Sequence, residues 1–92
     1  MKYFAKVVDL FKTSWGEVAV LEFNKDLTIK LGMVLSDTNA NKWEITRVSN
    51  SKAPHVEKYK DKINSIYVWD CTLKPVGHSD SVKTNDVLEV VG

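Results

Sequence analysis

The sequence predicts an all-β fold: one domain over residues 1–92, built as a small closed Greek-key barrel of six or seven strands. Three observations predict it. Short runs rich in β-branched and aromatic residues are separated by turn residues about every eight to twelve positions. No long stretch carries convincing helical spacing. A small corner unit also recurs, an extended apolar run followed by a tight turn and a second run. It reads as Ile29-Lys30-Leu31-Gly32-Met33-Val34-Leu35, more weakly as Lys60-Asp61-Lys62-Ile63, and again as Val82-Lys83-Thr84-Asn85-Asp86-Val87-Leu88-Glu89-Val90.

The elements follow in order. Tyr3, Phe4, Val7, Val8 and Phe11 favour a pleated, half-buried strand over residues 3–11. Ser14-Trp15-Gly16 ends it, and a Val- and Leu-rich strand occupies 17–23. Asn24-Lys25-Asp26 is turn chemistry; short extended pieces at 27–31 and 34–36 hinge on Gly32. After a polar turn from Asp37 to Lys42, residues 43–48 read as a compact strand. Residues 50–62 are ambiguous: Pro54 suits a first helical position, with Val56, Tyr59 and Ile63 at helical spacing. A helix so short needs packing to persist, so a loop with one helical turn is expected there. Residues 63–74 form the longest extended candidate, a Pro75/Gly77 loop follows, and a last strand lies at 87–91.

Composition bounds the function. A chain of 92 residues holds one core and buries roughly 60–65% of its unfolded surface. Thirteen basic residues against twelve acidic give a net charge of +1. Neither half of the chain carries a field that announces nucleic acid or membrane. The lone Cys71 cannot form an internal disulfide, and no run approaches the roughly 20 apolar residues of a membrane helix. The first nine residues lack a signal-peptide core, so the expectation is a cytoplasmic protein.

The order of motifs resembles the second domain of translational GTPases, the β-barrel that follows the nucleotide-binding domain in elongation factor Tu and its relatives. Phe4-Ala5-Lys6-Val7-Val8-Asp9-Leu10-Phe11 is similar to that family's F-x-V-x-D-x-F strand, and Trp15-Gly16-Glu17-Val18-Ala19-Val20 to the Gly turn and Val-rich strand after it. Ile29-Lys30-Leu31-Gly32-Met33-Val34 resembles I-K-x-G-x-x-V. Residues 43–48 stand for the family's V-x-x-I strand, and Tyr59-Lys60-Asp61-Lys62-Ile63 and Val82-Lys83-Thr84-Asn85-Asp86-Val87-Leu88 for its Gly-Asp corners. The departures are Trp15 in place of the usual basic residue, a first turn one residue shorter, and Asn85 for Gly, which the left-handed tolerance of Asn makes mild. The chain contains no G-x-x-x-x-G-K-[ST] phosphate loop, so the resemblance implies the barrel and its docking role without nucleotide binding.

Side-chain chemistry points away from an enzyme and from cofactors. Cys71 with His78 would be the candidate nucleophile and base, but Cys71 lies within the longest apolar run, where a free thiol behaves as a small hydrophobe. His78 with Asp80 falls short of a zinc pattern, and His55 reads as a loop residue. Asp9, Glu22, Glu44, Asp70 and Glu89 fall singly on separate strands. Aromatic and basic residues remain. Tyr67 and Trp69 share a strand face and are expected in the core, whereas Trp15 in a turn is expected at the surface. Trp15, Arg47, Lys58, Lys60 and Lys62 are therefore the candidate partner-binding residues. The expected role is a non-enzymatic module that docks a protein partner. The alternative is an RNA- or ribosome-associated barrel; neither membrane nor small-molecule substrate is implied. The expected barrel lining is Val7, Val18, Val20, Leu21, Ile29, Val34, Ile45, Val48, Ile66, Val68, Leu88 and Val90.

Overall fold

The first strand carries apolar side chains on both faces, and a bulge within it sets two successive residues on the outer one. The computed structural model describes residues 2–14, 16–49 and 57–92. Six antiparallel strands make a closed barrel in the order β1-β2-β5-β4-β3-β6. They are β1 (Phe4–Thr13), β2 (Gly16–Phe23), β3 (Val34–Ser36), β4 (Lys42–Val48), β5 (Val68–Val76) and β6 (Val87–Val90). Consecutive β3, β4 and β5 are neighbours, and β6 returns to lie beside β3, which is the Greek-key arrangement.

The three corner units are all turns. Gly32 takes a φ of 91° and Asn85 a φ of 77°, so Asn does supply the left-handed corner before β6. That corner closes the barrel: the Asn85 N–H donates to the Val7 carbonyl at 2.7 Å, and the Val7 N–H to the Asp86 carbonyl at 2.8 Å. At the β3–β4 turn the Asp37 carboxylate accepts the Asn39 and Asn41 N–H groups at 2.8 and 2.9 Å.

Inside the barrel lie Ala5, Val7, Ala19, Leu21, Phe23, Leu35, Trp43, Ile45, Cys71, Leu73, Val82 and Leu88. Tyr67 and Trp69 are half-buried against this cluster. A second cluster, Val8, Val20, Tyr59 and Val68 with Ile63 beside it, forms on the outer face. Val7 pairs with Leu21 but Asp9 with Val20, so Val8 is an extra residue. A bulge of this kind puts two residues opposite one and turns the strand face over. Val7 faces inward, and the two residues after it both face outward: Val8 in the outer cluster and Asp9 bonded to Tyr59.

The cover for that outer face is the segment 57–67. Glu57 and Lys58 are helical, residues 59–62 turn, and the chain then crosses the sheet edge. The Asn64 N–H donates to Glu22 Oε2 at 2.7 Å and Ser65 Oγ to the Phe23 carbonyl at 2.9 Å. Tyr59 lies beneath, its hydroxyl donating to Asp9 Oδ2 at 2.7 Å. That bond is the main reason the Asp9 carboxyl titrates below its usual range, with smaller help from the Leu10 N–H, Lys58 and Lys62, while burial opposes the shift. A lowered folded pKa contributes stability above the unfolded value that is lost as pH falls through the folded one. Tyr59→Phe is expected to cost about 1 kcal/mol at neutral pH, because water still reaches Asp9. It is also expected to flatten the loss of stability in acid; urea titrations between about pH 2 and 7 check both.

Four expectations are corrected. Residues 27–31 are not a strand: no ladder includes them, and pairing begins only beyond the Gly32 turn. The long strand starts at Val68 rather than residue 63, because the hydrogen bonds to Glu22 and Phe23 carry 64–65 off the ladder. It continues to Val76, through Pro75, which pairs with Trp43. In the lining, Ile66 lies in the crossing segment and is 61% exposed. Val20 and Val68 are buried, but in the outer cluster, not in the barrel. Val18 and Val34 are half-buried, while Ile29, Val48 and Val90 are half-buried against the inner cluster. Of the segment 50–62, expected as a loop with one helical turn, residues 50–56 with Pro54 lie outside the described residues.

Candidate functional site

The open seam of the barrel follows from how late β3 begins. After β2, Asn24 is clamped to β1: its N–H donates to the Phe4 carbonyl at 3.0 Å, and its Oδ1 accepts the Phe4 N–H at 2.9 Å. From there residues 26–31 run without regular structure to the Gly32 turn. The Gly32 N–H then reaches the Ile45 carbonyl at 2.8 Å, and the Ile45 N–H the Met33 carbonyl at 2.8 Å. Those two bonds are where the β3–β4 seam ends. β4 continues to Val48 with no β3 residue opposite it, and a groove of about 700 Å³ lies between its final turn and residues 26–31.

This volume suits a ligand site. Leu27, Ile29, Val48 and Trp69 give an apolar floor, all half-buried against the core. Asp26, Thr28, Thr46 and Arg47 bring polar groups, and Leu31, 66% exposed, stands on the rim. A second bulge shapes this wall. Ile45 pairs with Leu73 and Arg47 with Thr72, which leaves Thr46 as the extra residue. The bulge aims the Arg47 side chain outward, to the groove edge.

Of the four candidate partner-binding residues among the described ones, Arg47 alone lines this groove. Trp15 lies outside the described residues. The three lysines sit on the outer cover, where Lys60 Nζ is 3.9 Å from Glu57 Oε1. Lys58 Nζ lies 5.7 Å from the Phe11 ring centroid and 5.3 Å from that of Tyr59. Glu57, Asp61 and Asp9 offset the charge of Lys58, Lys60 and Lys62. β2 and β5 stand between β1, which carries Phe11, and β4, which carries Arg47, so Arg47 and the three lysines do not form one basic patch. Sequence reasoning missed the groove residues Leu27, Ile29, Leu31, Val48 and Trp69 as a site. The available signal was the Gly32 break ahead of a strand only three residues long.

Cys71 lies fully buried in the barrel, and burial, helped by the negative charge of Asp70, pushes its thiol up to about 12. His78 is exposed in the loop after β5. A thiol so placed is not activated for attack. It is expected to resist iodoacetamide at pH 8 in the native chain and to react fully once unfolded. Because its folded pKa is raised from 9.0, its contribution to stability is complete below pH 9 and is lost as pH climbs toward 12. A native thiol alkylated as fast as the unfolded one would refute this burial. Among the described residues no group of three or more His, Cys, Asp or Glu side chains is placed to hold a metal ion. Nor is any helix there long and apolar enough to cross a membrane.

Fold and groove together define the class: a six-stranded closed antiparallel barrel with one seam held open beside its β4 strand. No protein-family model, curated protein or solved structure matches the chain.

Proposed function

We propose that this chain is a non-enzymatic binding module that docks a protein partner in the groove between residues 26–31 and the end of β4. The observation that carries the reading is the groove itself, an apolar floor with a polar edge and the exposed Leu31 on its rim. Binding sites are typically concave and mostly apolar, with a few polar groups that set orientation. Resemblance to the second domain of translational GTPases supports the same role, since such barrels pack against neighbouring domains. Charge offset around Lys58, Lys60 and Lys62 leaves little attraction for phosphate, which favours protein over RNA. With it we infer a cytoplasmic setting, on the single buried thiol and the absence of a disulfide framework in the sequence.

The test is site-specific photocrosslinking in cell extract, with benzoylphenylalanine at Thr28 in the groove or at Thr38 in the β3–β4 turn. Expected are protease-sensitive adducts from position 28 alone, abolished when Leu31→Asp is added. Nuclease-sensitive adducts would replace this reading with the RNA one. Equal adducts from position 38 would remove the groove from the account.

A further inference from the structure

We propose that the groove takes its partner as an extended strand, hydrogen-bonded through the main chain to both walls; this rests on the protein-docking reading above. The Ser49 N–H donates to the Asp70 carbonyl at 2.9 Å, toward β5. Main-chain groups alternate in direction along a strand, so the N–H and C=O of Val48 point the opposite way, into the groove. Val48 is paired across from Cys71, in the position that exchanges no hydrogen bonds with β5. On the β3 side, the last bonds of the seam are those at Ile45.

The facing wall also has unpaired main-chain groups. Among the described residues, 26–29 make no main-chain hydrogen bond. Ile29 and Leu27 are half-buried there, against the inner cluster. Unpaired main-chain groups at Val48 and at residues 26–29, on the two sides of one gap, match one kind of ligand closely. An extended polypeptide offers N–H and C=O groups on both edges at strand spacing, as an added strand does in β-augmentation. Its alternate side chains would fall on the Leu27, Ile29 and Trp69 floor, and the others would face outward. A nucleic acid lacks that alternation of donor and acceptor, and an acyl chain has neither. The occupant is thus a short β-forming peptide segment that completes the β3–β4 seam from outside.

The probe is the capped pentapeptide acetyl-Thr-Val-Thr-Val-Thr-amide, titrated into the full chain and followed by amide NMR. Two analogues carry N-methyl groups on the odd or on the even residues; each removes the donors from one edge and leaves every side chain in place. Expected are shifts at Val48 and at residues 27–29, with amide exchange at Val48 slowed at least tenfold on saturation. In the free protein Ser49 is expected already to exchange more slowly than Val48. Each analogue is expected to bind at least tenfold more weakly than the parent. An analogue that binds as well as the parent would overturn the two-walled strand, and so would shifts confined to other surfaces. Absence of any shift up to about 1 mM peptide would overturn it as well. These outcomes are separate from the crosslinking result: protein adducts at position 28 with tolerated N-methylation would leave docking intact and remove the strand.

Discussion

Replacing Trp43 with Ala is expected to be the most damaging single change in this protein, at about 3–5 kcal/mol. The indole is 1% exposed and sits in β4 between Leu35 of β3 and Pro75 of β5. It does two jobs. It is the largest fully buried side chain among the described residues, and its Nε1–H donates to the Asp80 carbonyl at 2.9 Å. That bond ties down the loop between β5 and β6, from which Val82 reaches into the core. Truncation removes the apolar volume, leaves a cavity and frees the Asp80 carbonyl at once. A chain of 92 residues is stable by about 5–14 kcal/mol, so the loss consumes a large fraction of the total. Urea denaturation followed by circular dichroism measures it. Trp43→Phe should recover more than half of the loss, because ring volume returns while the N–H does not. A loss below about 1 kcal/mol for Trp43→Ala would contradict the packing described.

Ile45→Ala is expected to cost about 2–4 kcal/mol, whereas Ile66→Ala should stay within about 0.5 kcal/mol of the parent. The two residues are chemically identical. Ile45 is fully buried, and its backbone also holds the end of the β3–β4 seam through Gly32 and Met33. Ile66 lies in the crossing segment, 61% exposed. The pair therefore isolates burial from residue type. Val20→Ala is expected to cost about 2 kcal/mol, through loss of contact with Val8, Val68 and Tyr59 under the outer cover. Equal losses at Ile45 and Ile66 would place the crossing segment inside the barrel and refute the topology near β5.

Strand content was legible because it rests on local chemistry. Val- and aromatic-rich runs marked β1, β2 and β4 to within about two residues, and the Gly32 and Asn85 corners were readable as positions that accept a left-handed backbone. The errors cluster where side-chain alternation ceased to report the face. Val8 and Asp9 are consecutive, but the bulge sets both on the outer face, Val8 under residues 57–67 and Asp9 against Tyr59. Residues 27–31 have strand composition but no neighbour to pair with, and that missing neighbour is what makes the groove. Of the candidate site, Arg47 was found because a basic side chain is visible as such in a string of letters. Its companions were not, since apolar side chains at a groove and in a core are the same residues.

The amino-acid order alone determined that this chain turns corners at Gly32, Lys60-Asp61 and Asn85, wraps as antiparallel strands, and carries no phosphate loop. Those are properties of single residues and near neighbours. Only the tertiary structure decided which face each valine covers and where the barrel fails to seal. Bulges and seam lengths depend on which strands meet across the sheet, and a strand's partner is chosen by residues far away in the chain.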